Sequence, residues 1–152
     1  MSWWKRILTG EGGAVKPQRL DYLNEGLALE RQGDYEGAIT SYQLALRDDQ
    51  NNIKTLQYIA IALSRTGRRE EAIRQYRRAL ELAPELSGAH YGLAFLLIKR
   101  GDTDRAADHL RHFLAKPPRD PEMTRWVDFA RETLDRLESP DAPIAVIEGN
   151  PA

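Results

Sequence analysis

Three groups of residues have the types and spacing that could support chemistry. His109 and His112 lie three apart with Asp108 beside them. On a helix this puts two imidazoles on one face, a spacing that could hold a metal ion. The same pattern describes a partly exposed surface helix, and no third strong ligand is fixed by the local sequence. Gly10-Glu11-Gly12-Gly13 has the glycine content of a phosphate loop, but neither the preceding strand nor the following helix that such a loop needs. Arg68, Arg69, Arg74, Arg77 and Arg78 could meet RNA or an acidic partner. Glu70, Glu71 and Glu81 interleave with them, and Glu70 and Arg74 have the i,i+4 spacing of a helix ion pair. A solvated helix face is the plainer reading of that run.

Composition narrows the field further. There is no cysteine, so disulfides, thiolate metal ligands and cysteine nucleophiles are out of reach. With 22 basic and 23 acidic residues the net charge is −1, without the basic excess of a nucleic-acid binder. No stretch approaches the roughly 20 apolar residues of a membrane span. No nucleophile motif or paired-carboxylate signature is present. The chain is therefore expected to be a cytoplasmic, non-enzymatic protein with no metal and no cofactor.

The elements that must position these residues follow from a repeat. Gly33, Gly67 and Gly101 recur at one spacing, and Ala38, Ala72 and Ala106 keep it. So do Leu29, Leu63 and Leu97, and Leu46, Leu80 and Leu114. The units are 19–52, 53–86 and 87–120. Each predicts two helices around a tight turn, as with Leu56, Ile59, Ala60 and Leu63, then Ile73, Tyr76, Ala79 and Leu80. Gly67 sits where the first helix must stop, and glycine accepts the left-handed conformation that ends helices. Asn52 is placed to cap the next helix, and Pro84 and Pro118 fall between units. Small residues at Gly26, Ala60 and Ala94 let neighbouring helices approach closely.

These residues resemble the tetratricopeptide repeat pattern of a bulky residue, a Leu-Gly pair, a bulky residue, Gly, Ala, an aromatic, Ala and Pro. The second unit carries it as Leu56, Ile59, Ala60, Leu63, Gly67, Ala72, Tyr76, Ala79 and Pro84. The first unit carries Tyr22, Gly26, Leu29, Gly33, Ala38, Tyr42 and Ala45, and the third His90, Leu93, Ala94, Leu97, Gly101, Ala106, Leu110 and Pro118. Glu25, Gln50 and Phe113 depart from the pattern. The resemblance implies an all-α fold, a right-handed superhelical array of antiparallel helix pairs. Residues 121–138, with Asp120 as cap, Pro121 in the first position and an apolar stripe of Trp126, Val127, Phe129, Ala130, Leu134 and Leu137, are expected to form a C-terminal capping helix.

The resemblance also implies a binding surface, because the first helices of such repeats line a concave groove. By register the groove residues are Leu23, Leu27 and Arg31, then Lys54, Gln57, Ile61 and Arg65, then Tyr91, Phe95, Ile98 and Lys99. Leu27, Ile61 and Phe95 form an apolar stripe, expected to be exposed, with Arg31, Arg65 and Lys99 as a basic edge. An adaptor or scaffold holding an apolar or amphipathic protein segment with acidic residues is the expected function. Members that grip a peptide carboxylate use lysine and asparagine where this chain has Leu23, Leu27, Gly88 and Gly92, so that clamp is not expected.

The flanks suggest an alternative. Residues 1–18 read as a flexible segment whose tip, Trp3, Trp4, Lys5, Arg6, Ile7 and Leu8, combines tryptophan with cations in the manner of an interfacial membrane contact. That would make the chain a membrane-peripheral assembly factor. Residues 139–152 read as a flexible tail around the apolar run Ile144-Ala145-Val146-Ile147. Either flank, or a second copy of the chain, could also occupy the groove.

Overall fold

A computed structural model describes residues 21–139 and 141. The proposed membrane contact at Trp3–Leu8 and the apolar run at 144–147 lie outside the described residues. Among the described residues seven α-helices follow in order: α1 (Tyr22–Arg31), α2 (Tyr35–Asp48), α3 (Ile53–Arg65), α4 (Arg69–Leu82), α5 (Ser87–Arg100), α6 (Thr103–Ala115) and α7 (Thr124–Glu138). The described residues contain no strand. Helices α1–α2, α3–α4 and α5–α6 form three pairs, each packed on the next, and α7 closes the array against α6.

The turn inside each pair has one chemistry used three times. Gly33, Gly67 and Gly101 have φ of 80°, 78° and 89°, a conformation that a side chain would strain. The N–H after each glycine returns to a first-helix carbonyl: Asp34 to Leu29, Arg68 to Leu63 and Asp102 to Leu97, all at 2.9 Å. These bonds satisfy the carbonyls that a helix end leaves open. Three helix starts carry side-chain caps. The carboxylates of Asp21 and Asp34 accept from the N–H of Asn24 and Gly37, and the Asn52 side chain accepts from that of Thr55.

The capping segment differs in one detail from the sequence expectation. Asp120 does cap, accepting from the Glu122 N–H at 2.9 Å, but Pro121–Met123 form a 3₁₀ turn and the α-helix begins at Thr124. Phe113, which departs from the small residue of the repeat pattern, is buried and its ring lies 5.1 Å from that of Tyr91.

Burial is uneven along the array. Helix α1 buries only Gly26, whereas α5 buries Ala89, His90 and the whole run Leu93–Ile98. The expected Glu70–Arg74 pair is replaced by longer reaches. Glu70 pairs with Arg100 of the next unit at 3.2 Å, and Arg68 joins Glu71 at 2.8 Å and Glu36 of the previous unit at 3.3 Å. A ladder of ion pairs between units therefore replaces a pair within one helix. Hydrogen bonding to the Arg68 guanidinium holds the Glu71 carboxyl below its ordinary range.

Candidate functional site

Helices α3 and α5 run side by side on one face of the array, and the start of α7 lies beside α5. Between them is an open cavity of about 710 Å³. Its wall carries five residues expected from register: Ile61, Arg65, Tyr91, Phe95 and Lys99. It also carries Ser64 and Gly88, groove positions by the same register, and Gly92, named with Gly88 for the missing carboxylate clamp; Tyr76, Leu96, Phe113, Met123 and Trp126 were not singled out by register. Aromatic rings make up much of the surface. Tyr91 lies 4.7 Å from Phe95 and 5.7 Å, edge-on, from Trp126. Burial raises the Tyr91 phenol above its ordinary range, so it stays protonated. The charged lining residues are Arg65 and Lys99, both exposed and both in the last turn of their helices.

The remaining expected groove residues are placed elsewhere. Leu23 lines a smaller cavity of about 290 Å³ at the start of the array, with Asp21, Asp48 and Asn52. Leu27 is half-buried against the core, and Arg31 and Lys54 are exposed. Lys54 lies over the Tyr58 ring at 5.9 Å. Gln57 approaches the cavity mouth, where a Cβ added to Gly88 would lie 3.1 Å from its Oε1. Arg65 is partly engaged by the Tyr35 ring, 5.5 Å away.

One expectation is corrected. Phe95 was to be exposed with Leu27 and Ile61, and it retains only 8% of its surface; Ile98, also placed in the groove by register, retains 9%. At Phe95 the cover comes from α7, which follows the third pair. Phe129 of α7 stacks on Phe95 with ring centres 5.3 Å apart. The apolar stripe is therefore open at Ile61, contributes one edge at Phe95, and is roofed over beyond it.

The histidines form a structural cluster that the sequence reading missed in part. His90 of α5 joins His109 and His112 of α6. Its Nε2 lies 2.7 Å from the Pro84 carbonyl, which can only accept, so Nε2 carries the proton. Its Nδ1 lies 3.0 Å from the His109 Nδ1, so one of the two rings donates to the other. The His112 ring stacks on His90 at 4.8 Å. Burial, with the neighbouring His90 and His112, pushes His109 down to about 4. Asp108 accepts from the Arg111 guanidinium at 2.7 Å. Among the described residues, no group of three His, Asp or Glu side chains is arranged to hold a metal ion.

Comparison with known proteins identifies the architecture. Tetratricopeptide repeat models match residues 20–52 and 66–125. The chain belongs to the tetratricopeptide repeat family. Its solenoid is similar to SycD, the Yersinia enterocolitica type III secretion chaperone solved with a peptide of the translocator YopD. That match has a TM-score of 0.71 and 16% identity, covering 76% of this chain and 88% of the other. The first tetratricopeptide domain of Spaghetti (RPAP3), solved with the HSP90 peptide SRMEEVD, gives a TM-score of 0.65 and 19% identity over 75% of this chain and 90% of that one. At such identities these likenesses establish the fold. In sequence, the photosystem I assembly protein Ycf3 of Synechococcus sp. (strain CC9311) is 32% identical over 85 residues, 54% of this chain and 49% of the relative. The Saccharomyces cerevisiae peroxisomal targeting signal receptor is 32% identical over 90 residues, 59% of this chain and 15% of the receptor. The chain thus spans about half of the first relative and a small part of the second. No described helix of this tetratricopeptide repeat protein is long and apolar enough to cross a membrane.

Proposed function

We propose that this tetratricopeptide repeat protein is an adaptor that holds a segment of another protein in the cavity between α3, α5 and α7. The observation that carries the reading is the lining of that cavity: an apolar and aromatic floor with Arg65 and Lys99 as its charged residues. Such a surface suits an apolar or amphipathic segment carrying acidic groups, because the segment buries apolar area while its carboxylates meet cations at the rim. Two structural neighbours that hold peptides, of YopD and of HSP90, support the class of ligand. The assembly role of the Ycf3 relatives fits the same class.

A displayed library of random 12-residue peptides, selected on the full chain, supplies probes of defined sequence. Binding of the selected peptides is then measured by fluorescence polarisation to the wild type and to the double variant Arg65→Glu, Lys99→Glu. Both residues are exposed, so the variant is expected to fold normally and to bind at least tenfold more weakly. Equal affinity for the two proteins would remove the cavity as the binding site. The membrane-peripheral alternative rests on Trp3–Leu8 alone. Sedimentation with anionic liposomes, with and without residues 1–12, tests it independently of the groove.

A further inference from the structure

The charges of the groove are sorted along its axis. Helices α3 and α5 lie side by side in the same direction, and two contacts fix this. Near their starts, Gly88 of α5 faces the Gln57 side chain of α3. Near their ends, Arg69, just past the turn that follows Arg65, donates to the Lys99 carbonyl at 3.2 Å. Arg65 and Lys99 therefore stand at one end of the cavity. Gly88, Tyr91 and Trp126, all uncharged, stand at the other. Tyr91 and Lys99 are eight residues apart on one helix. That is about 12 Å at 1.5 Å per residue.

The cationic end extends beyond the cavity wall. Arg69 is exposed, and its hydrogen bond brings the guanidinium to the carboxyl end of α5, beside Lys99. A third positive charge thus joins Arg65 and Lys99. Among the described residues none of the three forms an ion pair, because the neighbouring carboxylates are engaged elsewhere. Glu36 and Glu71 hold Arg68, and Glu70 and Asp102 hold Arg100. Arg65 faces the Tyr35 ring instead. The carboxyl ends of α3 and α5 suit these cations but supply only partial charge. An anionic partner would relieve their mutual repulsion. At the aromatic end Arg125 lies over the Trp126 ring at 5.1 Å and is not part of the cavity wall.

We infer that the bound segment is polar along its length rather than across it. An apolar block sits against Tyr91 and Trp126. An acidic block of two or more carboxylates lies beyond it, on Arg65, Lys99 and Arg69. A helix with one apolar and one acidic face does not meet this demand, because its charges would fall beside the aromatic wall as often as beside the cations. An extended segment crosses the distance in about four residues, a helical one in about eight. Arg69 belongs to a second helix and lies outside the cavity wall, yet it becomes a partner contact. This inference rests on the groove reading above and narrows its partner class.

The test uses the peptides selected on the full chain. Their acidic residues should cluster on one side of the apolar block. A version of one such peptide with the same composition, but with the acidic residues interleaved through the apolar block, should bind roughly tenfold more weakly or worse. Arg69→Glu should weaken the parent peptide about fivefold at low salt and less at high salt. A glutamate suits the first turn of α4, so the melting temperature should be unchanged. Arg125→Glu, the same charge change at the aromatic end, should alter affinity by less than about twofold. Equal binding of the interleaved version, indifference to Arg69→Glu, or an equal loss in Arg125→Glu would each overturn the inference. The groove reading then stands if the Arg65→Glu, Lys99→Glu variant still loses binding. Peptides indifferent to all the variants, or a library with no binder, would overturn both. Binders that appear only after residues 142–152 are removed would assign the groove to the chain's own tail and overturn an external partner.

Discussion

The first and last units use the same repeat to opposite ends. In α1 the groove-facing Leu23 and Leu27 are half-buried and only Gly26 is fully enclosed. In α5 the corresponding stretch is enclosed almost throughout, by α4 and α6 and, at Tyr91 and Phe95, by rings of α7. One register position, the ninth of each unit, is half-buried at Leu27, cavity wall at Ile61 and buried at Phe95. Position in a repeat thus fixes the direction of a side chain, while its environment is set by whatever stands beyond it.

The most severe way to break this contrast is to end the chain after Pro118. The aromatic face formed by Tyr91, Phe95 and Phe113 would then meet water. At about 25 cal/mol per Å² of apolar surface, several large side chains amount to several kcal/mol, comparable with the stability of a small domain. Aggregation or a much lower melting temperature is expected by circular dichroism. An unchanged melt would show that α7 is not part of the cooperative unit.

A paired substitution is the next largest effect. Phe95→Asp places a carboxylate against the Phe129 ring and should cost at least the roughly 3–5 kcal/mol of losing a buried phenylalanine. Leu27→Asp, at the same register on the open end, should cost much less. Chemical denaturation of the two variants reads the difference. Equal losses would erase the distinction drawn between the two ends.

Acid should loosen the third unit selectively. His109 is held neutral, with its pKa pushed down to about 4, while the unfolded chain takes its proton near the ordinary value of about 6.5. The unfolded state therefore binds more protons between those values. The stabilisation is fully present above about 6.5 and is lost as pH falls through about 4. Burial is the main cause, reinforced by His90, His112 and Arg77 and opposed by Asp108, while Glu85 faces His112 and His90 of the same cluster. Hydrogen exchange of α5 and α6 amides should rise relative to α1 and α2 over that pH range, and should do so less in His109→Gln. Uniform loosening would count against a local cause.

The smallest expected effect concerns the basic edge. Arg65→Glu alone should weaken selected acidic peptides more at low than at high salt, since exposed charges are screened within about 10 Å at 0.1 M. Its melting temperature should stay nearly constant, because exposed positions rarely contribute more than about 0.5 kcal/mol. A salt-independent loss would place Arg65 in a desolvated contact.

Much of the fold could be read from spacing. The three glycines announced three identical turns, and Asn52, Asp120 and Pro121 marked helix starts. The capping helix followed from a single apolar stripe. What could not be read was mutual: Phe95 is covered by a ring 34 residues away, and His109 meets His90 across two packed helices. The groove was half legible. Register located Ile61, Arg65, Tyr91, Phe95 and Lys99 on the cavity wall. It could not show that Trp126 shares that wall, because its place depends on how α7 meets α5.

The ion pairs between units have a mechanical meaning. Arg68 to Glu36, Arg100 to Glu70 and Lys116 to Glu85 each join residues roughly one unit apart, and most of these side chains are well exposed. Such pairs contribute about 1 kcal/mol or less apiece. They tie neighbouring coils of the solenoid at its surface without locking them. The molecule should therefore behave as a soft spring whose pitch responds to ionic strength. X-ray scattering at low and high salt would record this as a change in length, with helix content preserved. A compliant coil lets one groove close on segments of different girth, at an elastic cost smaller than that of breaking a single core contact.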